Sequence, residues 1–286
     1  MKTETKNIQL NYHSVRAMNS QLDMVFWGID KTISQTLIQT IAELVQQLEN
    51  TISRYSFHSE LYRLNKNAFE KPMIMSTELF QAVQMGVHYY QKTKGYFDVF
   101  NGTLFHESKK GSPEMAVPVR VDGDRVTILE EAKTMRFLQP NVSIDFGGIG
   151  KGLALKAIDV LLTSYFIEHA LISFGGSSIL SRGHHPHGDY WPFTLSHSTE
   201  QVWKLNNSFL SVSQCNSTIN GNKTPHLVDP KTGETIKDQN TAVVLAANPV
   251  DAEVLSTTLL IAPVKEHASI LQNFKNIDYQ IFKQQP

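Results

Sequence analysis

The stretch Asp145–Leu162, DFGGIGKGLALKAIDVLL, sets a run of glycines around one lysine directly before an amphipathic helical pattern. A short apolar segment, NVSIDF, enters it, so the local expectation is a strand, a tight glycine turn and a helix. Backbone N–H groups at a helix start have no intrahelical partner and point outward, which makes such a turn a natural anion site. Lys151 adds a full positive charge to the partial charge of the helix end. The P-loop pattern fails, because Gly152 stands where Ser or Thr is required and Asp145 where the first glycine belongs. The dinucleotide fingerprint fails too, its third glycine falling on Leu153. The turn equally reads as a plain strand-to-helix connection with a solvated lysine.

Around this turn the chain reads as one α+β domain spanning 1–286, mainly an antiparallel sheet packed with helices and containing one strand–glycine turn–helix–strand unit. Ile33, Leu37, Ile41, Leu44, Leu48 and Ile52 draw one stripe along a long helix after a strand at MVFWGI. A second helix starts after Ser76 and stops at KTKG, with Gly95 in the usual position past the end. VPVRVDGDRVTIL alternates around an Asp-Gly turn, and strands are expected at HALISFGGSSIL, DYWPFTLSH, QVWKLNNSFLSVSQ, TAVVLAAN and DYQIF. Two further helices are expected at about 251–262 and 264–274.

With 286 residues and a formal net charge of −1, the chain is long enough for a substantial core and lacks the basic surface that nucleic acid demands. Its single cysteine, Cys215, excludes an internal disulfide framework and a multi-cysteine zinc site, and reads as a buried, inert thiol. No window is apolar enough to span a membrane. The first twenty residues hold no apolar signal core and no lipobox-like cysteine, so the expectation is a cytoplasmic chain, or a periplasmic one whose export signal has been trimmed. His184, His185 and His187 in RGHHPHGDYW sit with Pro186 and Gly188, and read as a loop between strands rather than a metal site.

Two other segments carry chemistry. HLVDPKTG places His226, a side chain that titrates near neutral pH, three residues before an Asp229-Pro230 turn closed by Gly233. DAEVLSTTLLI puts Glu253 and Thr257 one helical turn apart with Ser256 beside them, a set of hard oxygens suited to Mg²⁺ or, in the plainer reading, a helix start capping its own N–H groups.

In this order and spacing, DFGGIGKG, SFGGSS, HLVDPKTG and AEVLST, together with SRYSFHSELYRLN and KGYFDV, resemble the FAD:protein FMN transferases, the ApbE-like flavin transferases. The resemblance runs from about residue 22 to 262. It implies an enzyme that splits the FAD diphosphate and attaches FMN to a Ser or Thr of an acceptor flavoprotein, using Mg²⁺; the expected assembly is a monomer or homodimer. By motif match, Glu253, Ser256 and Thr257 become metal-site residues, with a backbone carbonyl from the turn near Gly148. His226 becomes the base, and Asp145, Lys151 and Leu227 hold FAD. Tyr55 and the Tyr96-Phe97-Asp98 turn line the flavin or adenine pocket.

The chain departs from the family pattern twice. Glu253 replaces the usual Asp, adding a methylene at a metal that wants near-ideal octahedral geometry. Trp27-Gly28-Ile29 replaces Met-Gly-Thr, so Trp27 is expected either to stack on a ring of the cofactor or to fill flavin space. The alternatives to transfer are an FAD pyrophosphatase releasing FMN and AMP, and a non-enzymatic FAD-binding protein with a weakened metal site.

Overall fold

A computed structural model describes residues 10–102, 125–195, 198–219 and 222–283. The chain opens with β1 (Leu10–Ala17) and β2 (Ser20–Trp27), followed by α1 (Lys31–Ile52), α2 (Glu60–Asn67), β3 (Met73–Ile74) and α3 (Thr77–Lys92). Then come β4 (Val126–Leu129), β5 (Thr134–Phe137), α4 (Gly150–Ser164), β6 (Ala170–Phe174), β7 (Ser178–Arg182), β8 (Trp191–Leu195) and β9 (Ser198–Leu205). The last elements are β10 (Ser208–Gln214), β11 (Asn216–Ile219), β12 (Asn222–Pro225), β13 (Asn240–Ala246), α5 (Pro249–Ile261), α6 (Val264–Leu271) and β14 (Asp278–Lys283).

The main sheet has seven strands in the order β1-β2-β6-β7-β10-β13-β14, every neighbouring pair antiparallel. Side chains alternate across it as the pleat requires. Leu22, Met24 and Phe26 of β2, with Ala170, Ile172 and Phe174 of β6, face α1 and α4. Val25, Trp27, Leu171, Leu210 and Val243 face the other way, under the hairpin of β8 and β9. A further core joins α2, α3, α5 and the segments 96–100 and 142–149. The α+β architecture is the one the sequence pattern implies.

Helix boundaries follow local chemistry. Asp30 caps α1, its Oδ1 accepting from the N–H groups of Thr32 and Ile33 at 2.8 and 2.9 Å. The stripe of α1 buries Leu37, Ile41, Val45 and Ile52, while Ile33, at the start of the expected stripe, is exposed. Ser76 caps α3 by accepting from Leu79 N–H at 3.1 Å, and α3 ends where Gly95, at φ +80°, donates to the Tyr90 carbonyl at 2.8 Å. Asn248 caps α5 with Pro249 in the first turn.

The strands differ from the sequence reading in several places. β1 is not expected from the sequence, because it is an edge strand in which polar and apolar residues are evenly mixed and only two of eight are buried; it is tied to β2 through a turn with Met18 and Asn19 at φ 50° and 56°. HALISFGGSSIL divides into the antiparallel pair β6 and β7, and QVWKLNNSFLSVSQ into β9, which pairs with β8, and β10, which joins the main sheet between β7 and β13. The Asp-Gly turn of VPVRVDGDRVTIL lies outside the described residues, and only VTIL is seen, as β4.

The segment NVSIDFGG does not form a sheet strand. It runs extended beside residues 99–102, with one parallel bridge between Asn101 and Ser143. Its other neighbour is a side chain: Asn65 Nδ2 donates to the Ile144 carbonyl and Ile144 N–H donates to Asn65 Oδ1, both at 2.8 Å. One carboxamide thus does for Ile144 what a ladder strand would do. Asn65→Ala leaves both backbone groups of a fully buried residue unpaired, and is expected to lower unfolding free energy in urea by about 2 kcal/mol. Asn65→Asp keeps the acceptor and loses the donor.

Candidate active site

A cavity of about 340 Å³ opens where the glycine turn and α4, the ends of β7 and β10, the segment after β12 and α5 meet. Asp145, Gly148, Lys151, His226, Leu227, Glu253 and Thr257 line it, as do Tyr96, Phe97 and Asp98. Segments as far apart in sequence as Tyr96 and Thr257 therefore converge on one space.

Each side chain is held by its own local logic. Asp145 is nearly buried; Oδ1 accepts from Gly147 N–H at 2.8 Å and shapes the turn, while Oδ2 pairs with Arg54 at 3.0 Å. Gly148 lies against the ring of Phe97, where an added Cβ would sit 2.9 Å from Cε2. Lys151, in the first turn of α4, donates to Ser177 Oγ at 2.8 Å. The His226 N–H is tied to the Cys215 carbonyl at 3.2 Å. Beyond it the turn closes as its residue types require: Asp229 Oδ1 accepts from Lys231 N–H at 2.8 Å, and Gly233, at φ +78°, donates to the Asp229 carbonyl. Lys231 fastens that loop to the opposite wall by placing its ammonium 3.6 Å from the centre of the Tyr96 ring. Burial pulls the Lys231 pKa down, against the nearby Asp229 and Glu266 carboxylates, and burial raises the Tyr96 phenol.

Glu253 enters from α5 and is 7% exposed, and its Oε1 is buried with no hydrogen-bond partner among the described residues. The two helices that frame it come unusually close. A Cβ on Gly152 would lie 3.0 Å from Glu253 Cγ and 3.1 Å from both the Pro249 carbonyl oxygen and Val250 Cα. The extra methylene of Glu253 is therefore accommodated over a residue without a side chain. Among the described residues no group of three His, Cys, Asp or Glu forms a metal cluster. The buried Glu253 carboxylate with the Thr257 hydroxyl on the same helix face nonetheless fits the habit of Mg²⁺, which keeps several positions for water and phosphate.

Four expected site residues lie elsewhere or act otherwise. Trp27 is turned to the hairpin-covered face of the sheet, stacked on His169 at 3.8 Å with its indole N–H donating to the His184 carbonyl at 2.7 Å. It neither stacks in the cavity nor fills it. Tyr55 is 56% exposed and does not line the cavity; its neighbour Arg54 reaches in to Asp145 instead. Ser256 is fully buried behind the wall, hydrogen bonded to Ser211, Ser213 and the Glu253 carbonyl. Asp98, though at the lining, is spent on structure: Oδ2 accepts from Arg125 at 2.8 Å and Asn101 at 2.6 Å, and Oδ1 from Phe100 N–H at 2.8 Å. Burial pushes its pKa up, and the Arg125 guanidinium opposes that rise. Sequence reasoning missed Ser177 and Ser213, which also line the cavity. Ser177 follows the second glycine pair and was within reach, whereas Ser213 lies in an ordinary strand pattern. The histidines at 184, 185 and 187 occupy the loop after β7, away from the cavity lining.

A sequence model of the ApbE family matches residues 18–281. The chain belongs to the ApbE family. It is 23% identical to a FAD:protein FMN transferase of Chlamydia muridarum over 89% of this chain and 89% of that one. It is 24% identical to the FAD:protein FMN transferase of Escherichia coli K12, over 91% and 82% respectively. Its backbone matches the flavin transferase ApbE of Vibrio cholerae with a TM-score of 0.79 at 21% identity, covering 97% of this chain and 94% of that one. The apo flavinyl transferase ApbE of Pseudomonas stutzeri gives a TM-score of 0.79 at 18% identity, over 98% and 92%. These likenesses establish the ApbE fold for the chain.

The close approach of α4 and α5 gives a direct test. Gly152→Ala forces a methyl into backbone on one side and the Glu253 stem on the other. The expected cost is about 1–3 kcal/mol, read as a lower thermal midpoint.

Proposed function

We propose that the protein is a Mg²⁺-dependent FAD:protein FMN transferase that moves FMN from FAD onto a Ser or Thr hydroxyl of an acceptor flavoprotein. The observation that carries this reading is the convergence of Lys151, His226, Glu253 and Thr257 on one cavity, whose volume of about 340 Å³ is that of a small-molecule site. The family relatives named for that activity support it.

In the reaction the acceptor oxygen attacks the phosphorus of the FMN half of FAD. A new phosphoester bond forms, the bond to the bridging oxygen breaks, and AMP leaves with that oxygen. His226 takes the proton that the acceptor hydroxyl loses. Lys151 and the outward N–H groups at the start of α4 hold the diphosphate and balance its charge. Phe97 and Tyr96 offer flat apolar surface to a ring of the dinucleotide. Glu253, Thr257 and a carbonyl of the turn near Gly148 would hold Mg²⁺, which when bound would neutralise charge developing on the diphosphate.

Incubation with FAD, Mg²⁺ and an acceptor domain is expected to give a flavinylated acceptor band and AMP; free FMN and AMP without that band would mean that water is the acceptor. His226→Ala is expected to slow transfer by about 100- to 10,000-fold while FAD still binds. Transfer at the parent rate would remove His226 from the mechanism. Adding EDTA should stop transfer, and excess Mg²⁺ should restore it.

A further inference from the structure

Behind Glu253 and Thr257 runs a connected chain of hydroxyls. Thr257 Oγ1 lies 3.2 Å from Ser213 Oγ, which lies 2.8 Å from Ser256 Oγ. Ser256 Oγ is also 3.0 Å from Ser211 Oγ, and it donates to the Glu253 carbonyl at 3.0 Å. Each hydroxyl has one proton to give and two lone pairs with which to accept. A carbonyl can only accept, so the proton of Ser256 is committed to Glu253. Both serines that touch Ser256 must then donate to it. Ser213 has thereby used its only proton, and the contact between Ser213 and Thr257 is made by the proton of Thr257.

The direction of every proton in the chain is set by that one carbonyl. Ser256 is 0% exposed and Ser211 1%, so no solvent competes for their two protons, while Ser213 and Thr257 are half-buried at the cavity edge. Thr257 is left with lone pairs alone to present to the cavity it lines. Beside it stands Glu253 Oε1, buried and unpaired among the described residues, another pure acceptor. Two such groups side by side repel a phosphate oxygen and suit a hard cation.

We infer that Ser213 and Ser256 are positioning residues: they orient the Thr257 hydroxyl as an acceptor, and so make the wall between Glu253 and Thr257 a seat for a divalent cation rather than for a phosphate oxygen. This rests on the cation site of the proposed function and adds what selects its occupant. Groups that orient a metal ligand without touching the metal typically contribute 10- to 100-fold in affinity, as an order of magnitude.

The test is a titration of the full-length chain with Mn²⁺ alone, free ion counted by electron paramagnetic resonance. Ser213→Ala releases the Thr257 proton and is expected to weaken Mn²⁺ binding by about tenfold or more. Ser213→Thr, which keeps the hydroxyl, should restore it. Ser213→Cys, with a weak sulfur acceptor, should also bind Mn²⁺ poorly and serves if the alanine variant does not fold. Ser211→Ala is the control that separates orientation from packing. It removes a buried hydroxyl from the same network but leaves the donation from Thr257 to Ser213 in place, so affinity should stay within about twofold of the parent. Equal loss in Ser211→Ala and Ser213→Ala, or no loss in Ser213→Ala, overturns the inference while leaving the cation site standing. A parent chain that takes up no Mn²⁺ overturns both.

Discussion

The contact on which the site depends is the approach of α4 to α5 at Gly152. Two helices meeting with backbone against side-chain stem bring the first turn of α4, with Lys151 and the glycine run, beside Glu253 on α5. A larger residue at 152 would separate the anion-facing helix start from the acidic wall by the width of a methyl group. Groups that act together on one ligand must be placed to a fraction of an ångström. Here that placement is delegated to helix packing, which is stiff, rather than to loops.

The rest of the fold holds that pair in register. α5 lies on β10 and β13, and α4 on α1 and β7. The sheet thus supports both helices from beneath, and the His226 loop is laid over the gap, fastened at one end by its backbone bond to Cys215 and at the other by the Lys231–Tyr96 contact. The glycine turn is braced by Arg54 on Asp145 and by the carboxamide of Asn65 on Ile144. Rigid elements carry the positive and negative walls, and the proposed base sits on the segment between them.

What could be read from the residues was what local rules govern. Ser76 and Gly95 act at helix ends through bonds to their own neighbours, so sequence alone exposes them. The stripe of α1 was visible because burial repeats with the helical period. Asn65 was opaque, because a side chain acting as a strand partner leaves no period in the segment it serves. Trp27 was misplaced for a related reason: the pleat of β2 sends alternate residues to opposite faces, and Trp27 has the parity of Val25, away from the helices. Ser256 shares a motif with Thr257, but about 100° of helical rotation separates neighbours, and that turns one hydroxyl into the cavity wall and the other into the interior.

All three tryptophans of the chain, Trp27, Trp191 and Trp203, gather in the layer between the sheet and the β8–β9 hairpin, and none lines the cavity. Indole emission shifts to the red when water reaches the ring, so the wavelength of this protein's ultraviolet fluorescence is a gauge of that outer layer. Opening of the hairpin and wholesale melting would redden it, whereas side-chain rearrangement around the cavity would leave its colour alone. The molecule carries an optical reporter for one of its two faces, positioned by the same alternation that keeps Trp27 out of the chemistry.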